Sequence, residues 1–212
     1  TAEAADASGG AALRMAYTAI RSGMVDVALV VGVEKATDVL DSDIDSLSVR
    51  TLDSDYEAAE GLTPIGQAAL LMQRYIYENQ VEREALAAFP MLAHANAVNN
   101  PHAMYRKPLA LETYLKAGML AEPFNLYDIA PLADGAAAVL LARREVVPQN
   151  LNHPLVRIAG SSLVTDRFAL HDRNDPLFFE AAAVSVQRAC QQAGITPAQA
   201  DFFEYADITT LH

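Results

Sequence analysis

An α/β fold is what this sequence predicts, on three observations. Residues 11–22 read as an alanine-rich helix, residues 25–33 (VDVALVVGV) follow at once as a β-branched run, and strand-like and helix-like stretches keep alternating to the end of the chain. The helix opens from a small-residue turn, Asp6-Ala7-Ser8-Gly9-Gly10, because Asp and Ser cap helices and the alanines that follow favour them. Its residues Ala11, Ala12, Leu13, Met15, Ala16, Tyr17, Ala19 and Ile20 leave only Arg14, Thr18 and Arg21 polar. A helix apolar on most sides is expected to be buried by other elements. Asp6 would then lie at the positive end of an interior helix, where backbone N–H groups point at whatever is placed there.

Gly23 and Met24 break the helix, and residues 25–33 read as a strand covered on both faces within a mainly parallel sheet. Residues 38–59 carry Asp38, Asp41, Asp43, Asp45, Asp53 and Asp55 with little apolar pattern, as an exposed linker or lid would. Thr63 as cap and Pro64 in the first turn start a helix that runs to about Asn79, and residues 83–96 read as another. A short helix is expected at 109–117, an extended link at 119–125, a tight turn at Asp134-Gly135, and a small-residue strand at 136–142 beside 25–33. Residues 148–154, with Asn150, Asn152 and two prolines, read as a linker and domain boundary. Beyond it come a strand at 155–165, an amphipathic helix at 175–192 with Phe178, Phe179, Ala182, Val184, Val186 and Ala189 inward, and a strand at 201–205. Cys190 falls beside that inward face and reads as a buried small hydrophobe.

Composition narrows the function. The chain has 212 residues, 52% of them hydrophobic and 20% charged, which suits a globular protein and excludes disorder. A net charge of −12 argues against nucleic acid or anionic lipid as partners, since both need clustered Lys and Arg. The single cysteine forms no internal disulfide, and no Cys/His spacing suits a metal site. With no apolar run long enough to cross a bilayer, a cytoplasmic protein is expected.

Four stretches carry a more specific signal: EAADASGGAAL around Asp6, HANAVNNPHAMYRK at 94–107, YDIAPLADGAAAVLLAR at 127–143, and DFFEYADITTL at 201–211. In this order and spacing they resemble motifs of the thiolases, in particular the acetyl-CoA acetyltransferases of the sterol-carrier-protein-x-type and archaeal branch. The resemblance implies layered βαβαβ halves with a helical loop domain, incomplete at both ends. Residues 1–43 would be the later part of the N-terminal half, 44–126 the loop domain, 127–147 the closing strand of the N-terminal half, and 148–212 the start of the C-terminal half. It implies acyl transfer from an acyl-CoA thioester, with coenzyme A as substrate and no resident cofactor, in a homo-oligomer (dimer or tetramer). In such enzymes the position of Asp6 holds the nucleophilic cysteine, and that of Ala206 holds a histidine of the oxyanion hole.

Two of the parts needed for catalysis are therefore altered, so impaired activity is expected, or a non-catalytic homologue that binds acyl-CoA or scaffolds an active partner. On residues alone, Asp6 reads as a plain helix cap rather than a catalytic group. His94, Tyr105, Arg106 and Lys107 would face the acyl-CoA if the resemblance extends to function, with two cations beside an aromatic ring to hold phosphates or stack on a base. Otherwise they are surface charges and a structural histidine. Residues 11–22 open to solvent along one flank would count against the resemblance.

Overall fold

The structure is a computed structural model that describes residues 1–38, 48–206 and 208–211. They form two compact units, each assembled from separate stretches of chain: 1–35, 134–167 and 178–203 in the first, and 36–133, 168–177 and 204–212 in the second. The expected boundary at 43 and 44 lies outside the described residues, as do Asp41, Asp43 and Asp45.

In the first unit, helix α1 (Ser8–Arg21) ends where Gly23, at φ +76°, takes the left-handed turn that lets the Met24 amide donate back to the Ala19 carbonyl at 2.9 Å. Strand β1 (Val27–Glu34) follows and packs on α1. Its partner is strand β4 (Gly135–Ala142), in a register that runs from Val27 opposite Ala142 to Glu34 opposite Gly135. The pair is antiparallel, which corrects the mainly parallel sheet expected from the alternation of elements. Gly135 opens β4 and no tight turn forms at Asp134.

Two burial expectations also fail here. Val27, Leu29, Val31 and Val33 stand 49%, 64%, 56% and 74% exposed, so one face of β1 is open although every side chain on it is apolar. On α1 only Ala11 is buried, while Met15, Thr18 and Ser22 form an exposed flank at helical spacing. An apolar sequence asks for cover without supplying it, and only one face of the sheet carries α1.

Residues 155–165 form no strand. Side chains satisfy part of this backbone instead: Arg14 Nη1 donates to the Ser161 carbonyl at 2.6 Å, the Ser161 amide to Gln192 Oε1 at 3.0 Å, and the Ser185 hydroxyl to the Ser162 carbonyl at 3.4 Å. Gln192 and Ser185 belong to helix α6 (Glu180–Ala193), which begins five residues later than the sequence suggests and holds no fully buried residue; Cys190 is half-buried. The approach to α6 is closest at Gly160, where a β-carbon would stand 2.1 Å from the Ala189 carbonyl oxygen. That oxygen belongs to helix backbone and cannot swing aside. Gly160→Ala should therefore destabilise the first unit by about 3 kcal/mol, read as a drop of roughly 12 °C or more in its thermal midpoint. An unchanged midpoint would mean that the 155–165 segment is free to lift off α6. Residues 201–205, expected as a strand, are also irregular.

The second unit is mostly helical. Helix α2 (Pro64–Asn79) starts as its sequence requires, with the Thr63 hydroxyl accepting from the Gly66 amide at 3.1 Å and Pro64 in the first turn. It buries Ala68, Ala69, Leu71 and Met72. The helix expected at 83–96 is two, α3 (Arg83–Leu86) and α4 (Ala88–Ala97), because Pro90 has no N–H to continue the ladder back to Leu86. The short helix expected at 109–117 is the one-turn α5 (Leu111–Leu115), and the hairpin of β2 (Met119–Ala121) and β3 (Phe124–Asn125) replaces the extended link expected at 119–125. Phe124, fully buried, joins Ala68, Ala69, Met72 and Leu86 in one core cluster, and Tyr114 joins Ala87 and Leu109 in another. Burying a side chain the size of Phe124 is worth roughly 1.5–3 kcal/mol.

Candidate functional site

Asp6 lies in a short 3-10 turn, Ala5–Ala7, that runs directly into α1. It is not a cap. The turn is held by its neighbours: Glu3 Oε1 accepts from the Ala5 amide at 2.8 Å, and the Ser8 hydroxyl accepts from the Ala4 amide at 2.9 Å and donates to the Ala5 carbonyl at 2.7 Å. The Asp6 carboxylate is exposed and forms no hydrogen bond or ion pair among the described residues. Just before it Ala5 sits at φ +47°, the left-handed region that an alanine enters only at a cost of about 1–2 kcal/mol. The exposed carboxylate thus stands beside a strained residue at the N-terminal end of α1.

In the second unit the motif at 94–107 folds back on itself. His94, half-buried on α4, stacks on Tyr105 at 5.9 Å between ring centroids and 8° between planes, and meets the edge of Tyr127 at 5.8 Å and 75°. Its Nδ1 lies 3.1 Å from the Lys107 carbonyl. A carbonyl only accepts, so Nδ1 carries a proton and donates to it. Lys107 and Arg106 are exposed; Arg106 Nη1 reaches the Pro101 carbonyl at 3.4 Å, and Lys107 has no ion pair among the described residues. The result is a histidine clamped between two tyrosines beside two cations, a surface chemically suited to an aromatic base and phosphate oxygens.

Ala206, also in the second unit, is exposed, and its methyl group can donate nothing to an oxyanion. The structure therefore brings His94, Tyr105 and Lys107 together, leaves Arg106 on the adjoining turn, and places Asp6 in the other unit. Sequence reasoning missed Tyr127 and Asp128. Both stand in the motif at 127–143, whose small-residue strand drew attention away from its first two residues.

Asp128 is 1% exposed and collects three side-chain bonds: from the Tyr114 hydroxyl at 2.9 Å, the Asn125 amide at 2.7 Å and the Thr210 hydroxyl at 2.8 Å. Burial first, then the charge of Asp128 and the hydrogen bond to it, hold the Tyr114 phenol well above its usual pKa. Glu57, 5% exposed, plays a similar part, accepting from the Asp53 amide at 2.9 Å and the Leu170 amide at 2.8 Å.

Residues 1–145 match the family model described as "Thiolase, N-terminal domain". The chain belongs to the thiolase family. Thiolase relatives align with nearly all of it. The acetyl-CoA acetyltransferase of Methanothermobacter thermautotrophicus is 35% identical over 211 residues, covering 99% of this chain and 54% of the relative. That of Methanocaldococcus jannaschii is 38% identical over 213 residues, with 99% and 53% covered. The benzoylsuccinyl-CoA thiolase subunit BbsB of Thauera aromatica is 28% identical over 210 residues, with 99% and 53% covered. The chain thus spans about half the length of these relatives. The solved "Ltp2-ChsH2(DUF35) aldolase" superposes with a TM-score of 0.74 at 24% identity over 89% of this chain and 50% of that one, which shows a shared thiolase-like α/β fold. The open flank of α1 accordingly does not count against the family. Among the described residues, no helix is long and apolar enough to cross a membrane.

Proposed function

We propose that this chain is part of a thiolase-like acyltransferase that takes acyl-CoA thioesters, with its own acyl-transfer step impaired. The observation that carries this reading is the 35–38% identity, along nearly the whole chain, to proteins named acetyl-CoA acetyltransferase. The clamped His94 with Tyr105, Arg106 and Lys107 supports a CoA-facing surface, and Asp6 occupies the nucleophile position at the N-terminus of α1. Coenzyme A is substrate here, and no resident cofactor is called for. A carboxylate attacks a thioester weakly, and the mixed anhydride it would form hydrolyses readily. With Ala206 at the oxyanion position, developing charge on the thioester oxygen meets no side-chain donor there. The proposed setting is a cytoplasmic homo-oligomer, dimer or tetramer, as is common in the family, with residues 44–126 as the domain that covers substrate.

A second reading is a non-catalytic homologue that scaffolds an active partner. It is favoured by what two similar proteins are called: BbsB is named a subunit, and the fold neighbour is named as an assembly of two components. Two measurements on the intact protein separate the readings. Calorimetry with acetyl-CoA should give heat of binding, and a mixture of acetoacetyl-CoA and CoA should lose its enolate absorbance far more slowly than a thiolase would make it. No heat at millimolar acetyl-CoA would overturn the acyl-CoA reading and leave the scaffold. Rapid loss of the enolate would overturn the impairment.

A further inference from the structure

Residues 204–206 form no regular structure, and residues 208–211 form one bridge, so tertiary contacts set where position 206 stands. The fastening lies downstream. Thr209 pairs antiparallel with Ile129, the Ala130 amide donates to the Ile208 carbonyl at 2.8 Å, and the Thr210 amide donates to the Asp128 carbonyl at 2.9 Å. These main-chain bonds would form equally well with the segment slipped along its partner, because every residue offers the same groups. The side chain of Thr210 removes that freedom: its Oγ1 donates to Asp128 Oδ1 at 2.8 Å. Shifts that keep the same face inward bring Ile208 or His212 to that place, and neither has a hydroxyl.

The acceptor is itself immobile. Asp128 takes the Tyr114 hydroxyl on the same oxygen and the Asn125 amide on the other, and Asn125 Nδ2 donates to the Tyr114 carbonyl at 3.1 Å. All of these residues belong to the second unit. We propose that Thr210 and Asp128 are positioning residues that select a single register of 208–210 against 128–130 and thereby fix the place of residue 206. This rests on the reading of position 206 as the oxyanion position, because only then does its placement bear on substrate.

The test is a nitroxide at position 206 (Ala206→Cys with Cys190→Ser), with hydrogen exchange read at the Thr210 and Ala130 amides of the full chain. Thr210→Val keeps the branched shape and removes the hydroxyl; Thr210→Ser keeps the hydroxyl. With Val the nitroxide spectrum should split into two mobility components and the Thr210 amide exchange about tenfold faster; with Ser both should return to the parent values. The fluorescence and thermal midpoint of the Tyr114 region should move little in either. An unchanged nitroxide spectrum in Thr210→Val, or the same change in Thr210→Ser, would overturn the proposal. Acetyl-CoA calorimetry on the parent protein is scored apart: absence of heat there sinks the substrate reading, whereas a spectrum indifferent to Thr210 sinks the positioning.

Discussion

Asp128→Ala should destabilise the second unit by about 3 kcal/mol or more, lowering its thermal midpoint by roughly 10 °C. The substitution removes one acceptor and leaves three donors without it: the Tyr114 hydroxyl, the Asn125 amide and the Thr210 hydroxyl. Tyr114 and Asn125 are fully buried, and each buried donor left unpaired costs about 1–3 kcal/mol. A second readout follows from the phenol. Its pKa is raised in the folded state above the usual 10.0, so its contribution to stability is fully present below about pH 10 and is lost as pH climbs through the folded value. Removing Asp128 takes away the second and third causes of that rise and leaves desolvation, the first. Tyr114 in the variant should therefore ionise at lower pH than in the parent, though still above an exposed tyrosine, in an ultraviolet titration scored against Tyr114→Phe. A midpoint within a degree or two of the parent would show that water replaces the carboxylate at no cost, and the network would lose its structural role.

Asp6→Cys should turn a chain that forms no covalent intermediate into one that is acetylated by acetyl-CoA. The thiolate at the start of α1 is favoured by the amide groups of the first turn. Its sulfur attacks the acetyl carbonyl, a new thioester forms on Cys, and the CoA thiol leaves carrying the proton. Intact mass in a Cys190→Ser background reads the single acetyl group. If Asp6→Cys stays unacetylated, position 6 is not a nucleophile position in this chain, and the scaffold reading is left standing.

Much of the fold was legible because local chemistry decided it. Thr63 and Pro64 announce α2, and its end at Asn79 agrees with the pattern of buried Ala68, Ala69 and Met72. The pairing of 136–142 with 25–33 was also readable, from two apolar runs of matched length. What could not be read was whatever depends on the third dimension. Strand direction is not encoded in apolar runs, so β1 and β4 were expected in a mainly parallel sheet. The 155–165 stretch looks like a strand by composition, yet Arg14, Gln192 and Ser185 take its backbone bonds. At the site, the motif around His94 was legible by resemblance, while Tyr127 was not, because its partner is thirty-three residues away in sequence. Asp6 as a cap was a fair inference from type, and it failed because Asp6 lies inside the 3-10 turn Ala5–Ala7, and α1 starts after Ala7 with no side-chain cap.

The interleaving of the two units constrains how a nascent chain acquires them. The first draws on residues up to 203 and the second on residues on both sides of that point, so neither closes before residue 203 has left the ribosome. Until then the partners of Asp128 and Glu57 are held apart by long stretches of polypeptide, which slows folding. Folding of these two units should accordingly lean on chaperones more heavily than that of two contiguous domains of the same size.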